Sequence, residues 1–280
     1  MTLMQRRVVM NRAVMVMSGM AAAIGLFFLI WILGYVTIKG IGAINWDFFT
    51  QLPSPPGTDE GGLSSAIVGT LIMTALAALM AVPIGIIAGT YLAEFGRDTH
   101  LGHTVRFLSD ILVSAPSIVI GVFVYLVMVK PMGNFSGLAG AVSLAIIMLP
   151  VVTRTTEEML RLVPNEMREA ALALGAPYWH TMVRVIFRAA TTGLLTGVLL
   201  AVARVSGETA PLLFTALNSP YWSDSLNEPM SNLTVTLFNY AMSPYDDWHA
   251  KAWGAAFLIT ASVLVVTILT RFILRDRSKR

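Results

Sequence analysis

Cysteine is absent from the 280 residues, and charge is scarce, with Asp, Glu, Lys and Arg making up 12% of the chain. Without cysteine there is no disulfide, which excludes a small secreted fold stapled by bridges. The charge content is about half the roughly 25% of ordinary soluble domains. Together with a mean hydropathy of +0.71, it excludes a soluble enzyme domain. The glycine-rich phosphate loop GxxxxGK[ST] is also missing, so the chain is expected to bind no ATP of its own. No arrangement of nucleophile, base and acid stands out, and a net charge of +3 gives no reason to expect nucleic acid.

What the chain does have is long uncharged runs. A run of about 20 apolar residues crosses a hydrocarbon core of roughly 30 Å, whereas membrane β-strands are about ten residues long and alternate in polarity. The expected spans are helices at 13–38, 63–92, 108–129, 133–153, 189–217 and 251–271, the fifth of which requires Arg204 and Glu208 inside it. Pro83, Pro116, Pro150 and Pro211 lie in or near these spans and predict kinks rather than breaks, because neighbouring helices can satisfy the freed backbone groups. The first run is longer than the 7 to 15 apolar residues of a signal peptide, so it is expected to remain as an anchor. The expected architecture is therefore all-α: a polytopic membrane protein of about six helices, forming a single domain over 1–280.

The cations set the orientation. Fifteen of the nineteen Lys and Arg residues fall at the termini and in the second-to-third and fourth-to-fifth connections, Lys39, Lys130 and Lys251 fall on the other side, and Arg204 lies within a span. Cytoplasmic loops keep the excess of cations, so both termini are expected in the cytoplasm. The outer connections 39–62 and 218–250 are long and carry acids, among them Asp47, Asp59, Glu60, Asp224, Glu228, Asp246 and Asp247.

The basic loop 154–188 reads as two helices. Asn165 is placed to cap the first, with Glu166 in the first turn where the helix dipole favours an acid. Met167, Ala170, Ala171 and Leu174 form one apolar stripe, and Gly175 suits the left-handed position after a helix end. Pro177 can open the second helix, which carries Trp179, Met182, Val183 and Ile186 on one face and His180, Arg184 and Arg188 on another. Such a pair either lies in the membrane interface or docks into a groove on a cytoplasmic partner.

Arg204 and Glu208 stand four residues apart, so on a continuous helix they share a face and can pair. A central Arg costs about 2.5 to 3.5 kcal/mol to insert, so such residues face a bundle interior or a wet path. The pair either locks the bundle or marks the route of an oxyanion, which Arg grips with two parallel hydrogen bonds. Thr209 adds a neutral donor. Arg154, at the inner end of the fourth span, is a second cation at the exit or simply an orientation charge. Gly193 and Gly197 make a small-xxx-small pair that allows close helix approach. His100 and His103, with Glu94 and Asp98, are spaced too loosely for a metal site and read as a solvated loop.

Glu169-Ala170-Ala171, three residues and then Gly175 resemble the EAA loop of ABC-importer permeases. The segment Leu200-Ala201-Val202-Ala203-Arg204-Val205-Ser206-Gly207-Glu208-Thr209-Ala210-Pro211-Leu212-Leu213-Phe214-Thr215-Ala216 resembles their phosphate branch. So does Phe48-Phe49-Thr50-Gln51-Leu52-Pro53-Ser54-Pro55-Pro56-Gly57, with Gly62 and Ile67-Val68-Gly69-Thr70-Leu71 after it. The resemblance implies a type I ABC-importer permease fold, with Met167 to Gly175 as a coupling helix seated on an ATPase subunit. It also implies partners: a second homologous permease, two copies of the ATPase that hold ATP and Mg, and an extracytoplasmic phosphate-binding protein. The setting would be the lipid of a bacterial cytoplasmic membrane. Many family members place isoleucine and then proline where this chain has Val185 and Arg188. Three rival readings remain: an ion-gradient-coupled anion transporter using Glu208, an importer permease for sulfate or molybdate, and a non-transporting membrane scaffold.

Overall fold

The computed structural model describes residues 3–58 and 60–277, with side chains as far as residue 268. Asp59, Lys279 and Arg280, and the side chains of Arg271, Arg275 and Arg277, lie outside the described residues. Among the described residues the ordered elements are all helical. In chain order they are α1 (Leu3–Ile41), α2 (Trp46–Thr50), α3 (Ser64–Glu94), α4 (His100–Ser114), α5 (Ser117–Met132), α6 (Gly137–Arg161), α7 (Asn165–Ala173), α8 (Tyr178–Ser206), α9 (Ala210–Thr215), α10 (Leu233–Ala241) and α11 (Asp246–Arg277). Helices α1, α3, α6, α8 and α11 are each long and apolar enough to cross a membrane, and α4 with α5 adds a sixth if that bent pair is one span.

Helix α6 is the axis of the bundle: 67% of its apolar stretch is buried inside the chain, against 28% for α3 and for α8. Small residues bring its neighbours close. On α3, Gly69, Met73, Ala77, Ala81, Gly85, Gly89 and Ala93 recur every four residues, and all are buried. A Cβ on Gly85 would lie 2.8 Å from Val152 Cβ, and one on Gly140 would lie 2.8 Å from Met73 Sδ. The constant offset between these partners means that α3 and α6 run parallel. On the other side of α6, Gly193 abuts Met159 and Gly197 abuts Thr155. There the numbers rise on one helix as they fall on the other, so α6 and α8 run antiparallel.

The prolines divide into two groups. Pro83 and Pro150 sit inside unbroken helices, because the surrounding helices hold the backbone on course. Pro116 breaks its span instead of kinking it. Ala115 and Pro116 are both extended, at ψ 134 and 131, and α4 and α5 meet at 103°. Proline disfavours helical geometry in the residue before it, and here no packing overrides that preference. The fifth span is also divided. Helix α8 stops at Ser206, and Pro211 falls in the first turn of the separate helix α9.

Two connections hold more structure than their composition suggested. Between 218 and 250 lies the half-buried helix α10, whose cap residue Asn232 accepts from Val235 N at 2.8 Å. Before it, the chain crowns α6: Gly137 N donates to Glu228 O at 2.9 Å and Leu138 N to Leu226 O at 2.8 Å. These bonds occupy amides that a helix start otherwise leaves unpaired. At the same end, buried Lys251 donates through Nζ to Ser54 Oγ at 3.0 Å and Glu60 O at 2.7 Å, tying the first connection to α11.

Candidate functional site

The segment with the clearest chemistry is the break between α8 and α9. Gly207 and Glu208 continue past Ser206 only as turns, with Glu208 N donating to Val205 O at 3.1 Å. Sharing a face at a four-residue separation requires helical backbone, and the helix ends between the two charges. Accordingly, no ion pair joins Arg204 to Glu208 among the described residues, which corrects the pairing read from their spacing. Arg204 stands exposed in the last turn of α8, where helix carbonyls favour a cation. Glu208 is half-buried, and its carbonyl accepts from Thr234 Oγ1 at 2.8 Å, which ties the break to α10. Thr209 caps α9 through its backbone, its carbonyl accepting from Leu212 N at 3.1 Å. Non-helical backbone at membrane depth is tolerated where it is buried in protein or lines a cavity, and the Glu208–Thr209 link is half-buried.

Arg154 lies on the neighbouring helix and is not free. Its guanidinium pairs with Asp110 of α4, and both side chains are about half exposed. The antiparallel register of α6 against α8, fixed by the Gly193–Met159 and Gly197–Thr155 contacts, sets Arg154 level with residue 198. Arg204 is then six residues further along α8, a height difference of about 9 Å at 1.5 Å per residue.

The second place of interest is the basic end of the bundle. Helix α7 runs from Asn165 to Ala173, and Gly175 follows at φ +80. Gly175 N donates to Leu172 O at 2.9 Å and Ala176 N to Ala171 O at 3.2 Å, a left-handed stop. Asn165 does not cap this helix. The position before it is Pro164, and no side-chain cap bond forms; Asn165 Oδ1 faces Arg168 at 3.4 Å instead. No residue of α7 is buried, and Met167, Leu172 and Leu174 are exposed, Leu174 by 89%. Glu169 and Ala170 are exposed and Ala171 is half-buried beside them. The expected second helix of this loop is the start of α8, which runs unbroken past Arg188. A π-helical stretch at Thr181–Ile186 shifts the phase of its stripe, so Met182 and Ile186 are buried while Trp179 and Val183 stay exposed.

A family model described as "Binding-protein-dependent transport system inner membrane component" matches residues 81–279. The chain belongs to this family. Relatives of this transport component include the phosphate transport system permease protein PstA of Yersinia pestis, 49% identical over 94% of this chain and 89% of that one. PstA of Pasteurella multocida is 48% identical, over 96% of both chains. A probable phosphate transport system permease protein PstA of Methanocaldococcus jannaschii is 40% identical over 79% of this chain and 78% of that one. Among solved structures, the inward-facing MetNI methionine ABC transporter matches with a TM-score of 0.64 at 21% identity, covering 76% of this chain and 95% of that one. The fold is thus that of the ABC-importer permeases, and this member of the family is a multi-pass inner-membrane protein.

The basic end of the transport component corrects one reading and adds others that the sequence did not offer: Glu94, read above as part of a solvated loop, ends α3 with its side chain 5% exposed, and the roles of Glu157 and Tyr178 went unread. Glu94 accepts from Arg168 Nη2 at 2.8 Å and from the Tyr178 hydroxyl at 2.7 Å. Glu157 takes Arg106 Nε at 2.8 Å and Arg161 Nη2 at 2.6 Å. Both carboxylates are nearly buried. The available signal was an acid at the end of each apolar run on the side where cations gather. Among the described residues no three potential metal ligands come together, and Glu94 is committed to these partners.

Proposed function

We propose that this chain is the permease subunit of an ATP-driven importer of inorganic phosphate, acting as one transmembrane domain with both termini in the cytoplasm. The observation that carries this reading is near-half identity with phosphate permeases over almost the full length of both chains. The exposed apolar ridge of Met167 and Leu174 on α7, with Glu169, Ala170 and Ala171 beside it and Gly175 closing it, docks on an ATPase subunit. Two such ATPases, each holding ATP and Mg, serve this permease and a second homologous one. An extracytoplasmic phosphate-binding protein delivers the anion to the crowned outer end. ATP-driven closure of the ATPases moves the α7 ridge and rocks the spans.

In this scheme Arg204 attracts the anion from the end of α8, with Thr209 as a neutral donor and Glu208 limiting how long the anion stays. Arg154 is the next cation along the path, about 9 Å lower by helical rise. Its charge is partly neutralised by Asp110, which suits release over retention.

The test is uptake of labelled phosphate into vesicles holding the assembled complex, with binding protein and the outer face of the permease exposed to the labelled medium and ATP supplied on the cytoplasmic face. Uptake that needs ATP on that face and persists when the ion gradients are collapsed is the expected result. Uptake that follows a gradient and ignores ATP overturns the proposal.

A further inference from the structure

The docking helix α7 poses a mechanical problem. It buries none of its own residues, so apolar packing does little to hold it to the bundle, yet the proposed mechanism requires its motion to reach the spans. Among the described residues Arg168 is its strongly enclosed attachment, with its side chain 14% exposed. One terminal nitrogen donates to Val163 O at 2.6 Å; the other donates to Leu160 O at 2.9 Å and to Glu94 Oε1 at 2.8 Å. The carbonyl of Leu160 belongs to the end of α6, and Glu94 is the last residue of α3. The second carboxylate oxygen of Glu94 accepts at 2.7 Å from the hydroxyl of Tyr178, the first residue of α8.

The Glu94 side chain is 5% exposed. A charge-assisted bond shielded in this way is short and strong, and breaking it strands an uncompensated buried charge. The junction therefore moves as a unit rather than sliding. We propose that the Glu94–Arg168–Tyr178 junction is the element that passes displacement of the docking helix to α3, α6 and α8, with Glu94 as a positioning residue for coupling. The inference rests on the docking role assigned above to α7. A merely structural role would lower the yield of folded complex and leave the phosphate carried per ATP unchanged, whereas a coupling role lowers that ratio in complex that is correctly assembled.

The experiment measures phosphate transported per ATP hydrolysed in the reconstituted full complex, with wild type, Glu94→Gln, Arg168→Lys and Tyr178→Phe. ATP-dependent phosphate uptake by the wild type establishes the importer reading, and loss of ATPase co-purification in Leu174→Asp establishes the docking role of α7 independently; unchanged co-purification there would reject the docking role, whatever the junction variants do. Given wild-type uptake, the expected result for Glu94→Gln is a ratio reduced by about tenfold with hydrolysis retained. Arg168→Lys keeps the charge but loses the forked geometry, so an intermediate ratio is expected. Tyr178→Phe removes a single hydroxyl and leaves the ion pair, so it keeps the test alive if Glu94→Gln fails to assemble; its ratio is expected to fall by a few fold. A wild-type ratio in Tyr178→Phe together with either a wild-type ratio or no assembly in Glu94→Gln would overturn the proposal.

Discussion

The carboxylate of Glu157 accepts from Arg106 Nε at 2.8 Å and so fastens α6 to α4 across 51 positions of sequence. Arg106 gives its other donors to the carbonyls of Leu92, Gly96 and Arg97, closing the end of α3. Glu157→Gln leaves two arginines facing a neutral group at a nearly buried site. The expected loss is about 2–4 kcal/mol, read as a fall of several degrees in the apparent melting temperature of the detergent-solubilised protein. The exposed neighbour Glu158, changed to Gln, is expected to stay within about 0.5 kcal/mol of the parent.

Gly197 lies against Thr155 with no space for a side-chain carbon. Gly197→Val is expected to force α8 off α6, costing about 1–3 kcal/mol or more and lowering the yield of assembled complex on size exclusion. A Cβ on Gly25 would meet nothing within 4 Å, so Gly25→Val is the matched control and leaves the fold of the permease intact.

The absence of a pair between Arg204 and Glu208 separates their variants. Charged hydrogen bonds contribute about 1.5–3 kcal/mol, so losing the Arg204 grip is expected to reduce phosphate uptake roughly ten- to hundredfold in Arg204→Ala with assembly retained. Glu208→Gln keeps the shape, and its backbone bond to Thr234 remains, so uptake is expected to fall by less than in Arg204→Ala. Abolished uptake in Glu208→Gln with normal uptake in Arg204→Ala would point to a coupling ion carried on Glu208. Initial rates of labelled phosphate uptake decide between them.

Leu174 exposes 89% of its surface at the tip of the docking helix. Leu174→Asp places a charge in the proposed apolar contact, so co-purification of the ATPase is expected to drop severalfold while the permease alone keeps its melting temperature. Unchanged co-purification would move the docking surface elsewhere.

The residues that were legible in the sequence are those whose signal is local. Hydropathy located the apolar stretches of α1, α3 and α6, and Gly175 announced its left-handed stop because so few residue types adopt that conformation. Gly193 and Gly197 announced a close approach without naming Met159 or Thr155 as the neighbours. Other features depend on tertiary context. Whether proline kinks or breaks a helix is decided by what packs around it, which is why Pro83 and Pro116 behave differently. The four-residue spacing of Arg204 and Glu208 carried a false implication because their shared face required a helix that Gly207 ends. Glu94 and Glu157 were hidden because their partners lie 74 and 51 positions away. Helix α10 was masked by the polar residues around it, although Asn232 followed by an apolar run is a legible cap.

The corner at Ala115–Pro116 affects the bilayer itself. Helix α5 has 16 residues from Ser117 to Met132, a length of about 24 Å at 1.5 Å per residue, against a hydrocarbon thickness of roughly 30 Å. Some 6 Å of insulation is therefore left to the turned helix, and the exposed Ile111 and Val113 in the last turns of α4 supply oil-like surface at that depth. A span shorter than the hydrocarbon thickness is met by local thinning of the bilayer, and the elbow is where that thinning is expected around this protein.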